Sequence, residues 1–222
     1  MSAILVNSGI QPGTADAVSL GPINFAGSNL IVLALVYHSP AALSGPSDGV
    51  NTYIPLTEQT VPGGGRLRFY YAFNPNVGSP LTITASGTGI APALAALGFS
   101  NIKSNPFDAE NGNFNAGTPN TITTNIATPT DNNELFIAAM SHENTFSGLT
   151  IDVGFASPPP LQAQYNGGVN YGLAVSYLNQ IGNTPLNPQF AWTNNHAAAA
   201  VIATFKAEST PTTLMGGSVG YC

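Results

Sequence analysis

Alternation of apolar and polar residues with a period of two constrains this chain more than any other feature. Leu81, Ile83 and Ala85 alternate with Thr82, Thr84 and Ser86, and the run stops at Gly87-Thr88-Gly89. Leu67, Phe69, Tyr71 and Phe73 alternate with Arg66, Arg68, Tyr70 and Ala72. The pattern recurs at Leu149, Ile151, Val153 and Phe155, at Tyr171, Leu173, Val175 and Tyr177, and at Phe190 and Trp192. Successive side chains of a strand point to opposite faces, so each run describes a half-buried antiparallel strand. Residues 30–37, 135–140 and 198–205 are apolar at every position or nearly so, and they read as central strands covered on both faces.

Shorter strands are expected at residues 4–7, 17–20, 53–59, 93–100 and 121–127. Pro92 before Ala93, Leu94, Ala95, Ala96 and Leu97 could open a helix, but Gly98 and the flanking strands favour a strand. Turn signals separate the runs: Gly45-Pro46-Ser47-Asp48-Gly49, Gly63-Gly64-Gly65, Asn74-Pro75-Asn76, Pro158-Pro159-Pro160 and Asn166-Gly167-Gly168. No amphipathic segment of helical period stands out, which speaks against a βαβ fold, and no repeat of 20–50 residues speaks for a solenoid or propeller. The expectation is an all-β, jelly-roll-like antiparallel β-sandwich of two sheets. One domain over residues 1–208 is followed by a flexible or docking tail over residues 209–222. The polar stretch 101–119 reads as an ordered functional loop or as a boundary between two halves of the sandwich.

Charge narrows the function. Four Lys/Arg and ten Asp/Glu make 6% of the 222 residues, against about a quarter in an ordinary soluble domain. The surface must therefore be Asn, Thr, Ser, Gln, Gly and Pro, which suits a protein packed against neighbours or facing glycans. With a net charge of −6 and no basic cluster, nucleic acid and anionic membranes are not expected as partners. The longest apolar runs fall short of the ~20 residues of a spanning helix. The start, Met1-Ser2-Ala3-Ile4-Leu5-Val6-Asn7, has no positively charged n-region. A chain folded in a cytoplasm, or cut from a longer precursor, is expected. Cys222 is the only cysteine, so no internal disulfide forms; it is either a free thiol or a link between subunits.

Candidate chemistry is sparse. His38, His142 and His196 each close an apolar run and could meet as a metal site, but their spacing fits no zinc motif. Ser141, His142 and Glu143 are adjacent on a strand and so cannot form a relay among themselves. Asp108 and Glu110, with Asn111, Gly112 and Asn113, gather oxygen ligands as a calcium loop would, although no EF-hand pattern is present. Asp131/Glu134 and Asp108/Glu110 are the nearest carboxylate pairs for glycoside hydrolysis. Among the aromatic residues, Tyr70, Tyr71, Tyr165 and Trp192 could stack on sugars; Trp192 alternates with Phe190 and belongs to the core. Arg66, Arg68 and Tyr70 share one face and form the candidate interaction surface, since Arg and Tyr are enriched at interfaces.

The order of the segments resembles a loose family of β-sandwich proteins of bacterial and phage sequences. The resemblance rests on residues 29–37, Asp48-Gly49-Val50-Asn51-Thr52-Tyr53, residues 66–75 with Tyr70-Tyr71-Ala72-Phe73-Asn74, and Leu81-Thr82-Ile83-Thr84-Ala85. It continues through Thr121-Ile122-Thr123-Thr124, residues 131–137 and the closing strand 198–206. The Asp-x-x-Gly-Asn turn of that pattern is altered to Asp48-Gly49-Val50-Asn51. The resemblance implies a jelly-roll-like sandwich and no catalytic residues. Together with the uncharged surface it leads to the expectation of a non-enzymatic virion structural protein. A capsid decoration or cement protein, or another virion-surface protein, is expected to assemble as a homo-oligomer with capsid or other virion proteins. No cofactor is implied. The alternative is a carbohydrate-binding or adhesin module of a cell surface or tail fibre, with a glycan as partner.

Overall fold

A computed structural model describes residues 2–38, 42–61, 63–117, 119–143, 147–152, 154–155, 161–164 and 171–208. The tail 209–222 with Cys222, Tyr165, and the Pro158–160 and Asn166–Gly168 turns lie outside the described residues. The protein is an all-β antiparallel sandwich. Its first half forms β1 (Ile4–Pro12), β2 (Ala17–Ile23), β3 (Leu30–His38), β4 (Ser44–Ser47), β5 (Ile54–Pro55), β6 (Gln59–Val61), β7 (Gly65–Phe73), β8 (Leu81–Ser86) and β9 (Ala93–Ser100). Its second half forms β10 (Ile102–Asn115), β11 (Thr121–Thr123), β12 (Asn133–Glu143), β13 (Thr150–Ile151), β14 (Leu161–Gln164), β15 (Tyr171–Ile181), β16 (Gln189–Ala191) and β17 (Ala198–Ala207).

Four sheets stack in place of the expected two. A six-stranded sheet, β1-β9-β3-β7-β5 with β6 also on β7, faces a five-stranded sheet, β10-β17-β12-β15-β14. Two three-stranded sheets, β2-β8-β4 and β11-β16-β13, cover their outer sides. The alternation within the apolar strands explains the stack. On β3, Leu30, Val32, Ala34 and Val36 enter the central core between the two large sheets. Ile31, Leu33, Leu35 and Tyr37 enter a second core beneath β2-β8-β4. On β12, Leu135, Ile137 and Ala139 face the centre, while Phe136, Ala138 and Met140 face β11-β16-β13. A strand buried on both faces has no polar side to present, which is why these runs carry no alternation. Each fully buried large side chain contributes about 1.5–3 kcal/mol relative to exposure.

The two halves repeat one topology. Strand for strand, β1 to β9 and β10 to β17 occupy matching places in their large and small sheets, with β5 and β6 together answering to β14. The register matches as well. Leu30 lies between Phe99 and Phe73, and Leu135 lies between Phe205 and Asn179. The edge strands bulge at the same place. β1 shifts between Leu5 and Asn7, opposite Phe99 and Gly98, and β10 shifts between Phe107 and Ala109, opposite Phe205 and Thr204. Even loop hydrogen bonds recur: Gly87 N donates to Asp16 O and Ala91 N to Ala15 O, as Trp192 N does to Asn120 O and His196 N to Pro119 O. The stretch 101–119, expected as a loop or a boundary, is both the junction of the halves and, over most of its length, the strand β10.

Candidate functional site

Polar groups gather at four places. The first contains the expected interaction surface. Arg66 and Arg68 alternate with inward Leu67 and Phe69, so they lie on the outer face of β7. Arg66 Nε is 3.2 Å from Glu58 Oε1 and Arg68 Nε is 3.9 Å from Glu58 Oε2. Tyr37 donates its hydroxyl to the same Glu58 Oε2 at 2.7 Å. Tyr70 corrects the expectation of an exposed platform. It is 6% exposed and belongs to the core beneath β2-β8-β4, with the Arg68 guanidinium 5.9 Å from its ring centroid. There it shares the core with Leu33 and Leu35 of β3 and Leu81 and Ile83 of β8. Burial, and then the Glu58 hydrogen bond, pushes the Tyr37 hydroxyl above its ordinary value, and burial does the same to Tyr70. Glu58 is thus the centre of a partly exposed network in which one carboxylate answers two guanidinium groups.

The second place lies on the bulge of β10. Asp108 accepts hydrogen bonds from Thr130 N and Thr130 Oγ1, and Lys206 Nζ stands 3.1 Å from its Oδ1. Glu134, at the start of β12, is 1% exposed, both its carboxyl oxygens are buried without a hydrogen-bond partner, and it lies opposite Lys206, which pairs with Asp108. Two neighbouring carboxyls at a buried corner disfavour double ionisation, so a proton is retained on one of them. Burial, then the Asp108 contact, raises Glu134 to about 8. Burial opposes ionisation of Asp108 too, but Thr130 and Lys206 outweigh it and hold Asp108 at about 2. The proton therefore belongs to Glu134. Next to the pair, Lys103 Nζ meets Asp131 Oδ2 at 2.6 Å.

The segment weighed as a calcium loop, or otherwise a solvated turn, is a strand. Asp108 and Glu110 sit on a strand, and their carboxylates serve different partners: Glu110 accepts from Thr57 N and Thr57 Oγ1. The acid pairs considered for glycoside hydrolysis divide likewise, with Asp108 paired to Lys206 and Asp131 to Lys103. Among the described residues no three His, Cys, Asp or Glu side chains are arranged to hold a metal ion.

The third place is aromatic. The His142 ring, fully buried, lies between Trp192 at 5.4 Å and His196 at 5.7 Å, nearly parallel to both. His38 stacks instead on Tyr171 at 5.9 Å. Two of the three histidines do meet; the third is held by a ring on the central side of the other sheet. Trp192 is core, as expected.

The fourth is the turn of the family-like motif. Asp48 Oδ1 accepts from Val50 N and Asn51 N, and Oδ2 from Asn51 Nδ2 and the Tyr53 hydroxyl. Asn51 in turn accepts from Asn76 N. The motif's Asp, Asn and Tyr therefore form one hydrogen-bonded unit that fixes the chain between β4 and β5.

Among the described residues the outward faces of the two small sheets carry mainly hydroxyls. Cross-strand rows of hydroxyls, Ser19–Thr84–Ser47 and Ser86–Ser44, run over β2-β8-β4. Thr121 and Thr150 flank Ala191 on β11-β16-β13. The long edges differ. On β10, Asn111 Nδ2 donates to Ile126 O, Asn113 Nδ2 to Thr123 O, and Asn125 Nδ2 to Gly112 O, so side-chain bonds tie the edge to its neighbouring segment. Among the described residues β1 has a single comparable tie, Asn7 Nδ2 to Asn24 O, and it exposes Ile4 (54%) and Val6 (36%). This edge was not legible as a site because its residues are ordinary strand formers. No protein-family model, no curated protein and no solved structure matches the chain.

Proposed function

We propose that this chain is a non-enzymatic structural protein of a virion surface, of the capsid decoration or cement kind, acting by protein–protein assembly as a homo-oligomer. The observation that carries the reading is the β1 edge. It runs for nine residues, among the described residues pairs only with β9, holds no charged residue and exposes Ile4 and Val6. Free edges template pairing with another chain unless charge, proline, a bulge or cover blunts them, and beyond its bulge at Val6 this edge keeps a regular register from Asn7 to Gln11. The uncharged hydroxyl rows support the same reading, because such a face packs against a neighbour without burying charge. Shape and backbone pairing, rather than electrostatic steering, then set specificity, as each of the four basic side chains is already paired with an acid.

Light scattering of the purified protein tests this. A defined oligomer is expected, with binding to capsid shells that lack the protein. Ile4→Lys with Val6→Lys, both at exposed positions, is expected to yield folded monomer and to abolish shell binding. A monomeric wild type that ignores such shells overturns the proposal. For the carbohydrate-binding alternative, Tyr70 and Trp192 are buried while Tyr71 is half-buried, so glycan-array binding lost on Tyr71→Ala is the result that would favour it.

A further inference from the structure

The repeated topology isolates one feature that the fold does not need. At the β1 bulge the residue is Val6, 36% exposed; at the matching β10 bulge it is Asp108, whose side chain is 3% exposed. The residue before Leu30 is Asn29, whose side chain bonds both Ile102 O and Ile102 N. The residue before Leu135 is Glu134. After Phe99 comes Ser100; after Phe205 comes Lys206. One half thus builds the corner from neutral groups. The other places a carboxylic acid, a carboxylate and an ammonium at the same three positions.

We propose that Asp108 and Glu134 form a proton-binding latch that holds the bulge of β10 on β17: closed while the pair shares one proton, loosened when both carboxyls ionise. The backbone makes a latch necessary at this point. β10 leaves the ladder between Ile102 and Phe107 and shifts again between Phe107 and Ala109. The corner is then held by side chains, namely Asp108 on Thr130 and Lys206, and Thr204 Oγ1 accepting from Ala109 N, with buried Glu134 opposite Lys206. The charged groups facing Glu134 are Asp108 of β10, Lys206 of β17 behind it, and Asp131 before β12, itself paired with Lys103 of β10. From β15, the residue opposite is neutral Gln180. Asp108 and Asp131 both disfavour ionisation of Glu134, and Lys206 is committed to Asp108. Neither Glu134 oxygen accepts a well-formed hydrogen bond that would compensate a second charge. A buried, uncompensated carboxylate beside another is strongly unfavourable, and its relief is to separate the strands and admit water.

Two measurements on the full chain test this. In carbon-detected NMR of the side-chain carboxyls, Glu134 is expected to titrate well above the ordinary glutamate range, and its midpoint is expected to fall in Asp108→Asn. In hydrogen exchange, protection of the Ala109 and Glu110 amides, corrected for the intrinsic rate, is expected to drop close to tenfold per pH unit between about pH 5 and 7. Glu134→Gln, which keeps the shape and cannot ionise, is expected to flatten that dependence. A Glu134 midpoint in the ordinary range overturns the shared proton. A raised midpoint with pH-independent protection, or identical profiles in wild type and Glu134→Gln, overturns the latch. Should Glu134→Gln fail to fold, the wild-type titration and Asp108→Asn decide.

Discussion

At the scale of single residues, the molecule spends its few charges in pairs whose effects on stability oppose each other with pH. Asp48, Asp108 and Asp131 are held below the ordinary carboxylate range. Asp48 and Asp108 get there through hydrogen bonds that outweigh burial, Asp131 through Lys103 first. Each stabilises the fold above the unfolded value of 3.8 and loses that contribution as pH falls through its folded value. Glu134 runs the other way. Its proton is held more tightly in the folded state, so its contribution is full below 4.5 and is lost as pH rises towards about 8. The melting temperature is therefore expected to peak between about pH 4 and 5 and to decline towards pH 8. Scanning calorimetry across that range checks it, with Glu134→Gln expected to remove most of the alkaline decline. A second expectation concerns Asp48→Ala. It strands the Asn51 amide and the Tyr53 hydroxyl, and should cost about 2 kcal/mol, seen as a lower urea midpoint with an unchanged slope.

At the scale of elements, the strands were legible where burial is one-sided or complete. The Thr82/Thr84/Ser86 alternation gives β8, and the unbroken runs give β3, β12 and β17, because side-chain direction follows a strand's period wherever the layers end up. The number of layers was not legible. An apolar run says that both faces are covered, not whether a sheet or a loop covers them. β10 was missed as a full strand because its edge is tied down by Asn111 and Asn113, residues that read as loop formers. The Glu134 site was hidden for a related reason. Asp108 and Glu134 are far apart in sequence, and only the pairing of both β10 and β12 with β17 joins them. The duplication is not legible in the sequence because matched positions differ in kind: Val6 and Asp108, Tyr37 and His142, Arg68 and Ala174. Gly98 and Thr204 show what such divergence requires. A Cβ on Gly98 would stand 2.4 Å from Phe25 Cδ1 and 2.6 Å from Ser28 Oγ. Phe25 is fully buried and cannot yield. Gly98→Ala is expected to cost about 1–3 kcal/mol through overpacking, whereas β17 accommodates Thr204 at the equivalent place; chemical denaturation measures the loss.

At the scale of the whole molecule, the central core is shared. Leu30, Val32, Phe69, Leu97 and Phe99 from one half interdigitate with Leu135, Ile137, Leu173, Val201 and Phe205 from the other. Two halves joined by such a core unfold as one. Trp192, the single tryptophan, sits in the outer core of the second half, so its fluorescence reports on that half. Leu33→Ala removes buried contacts only from the outer core of the first half and should cost about 2–5 kcal/mol. The Trp192 transition is expected to shift with the circular dichroism transition; an unmoved Trp192 signal would mean that the halves unfold independently.

The ion pairing of every basic side chain also governs how the chain meets trypsin. The four cleavage points, after Arg66, Arg68, Lys103 and Lys206, all lie within β7, β10 or β17, where a protease cannot seat an extended substrate. The folded protein should outlast long digestion over its described residues. Once one molecule opens, Lys103, at the junction of the halves, is where cutting parts the two copies of the architecture almost whole.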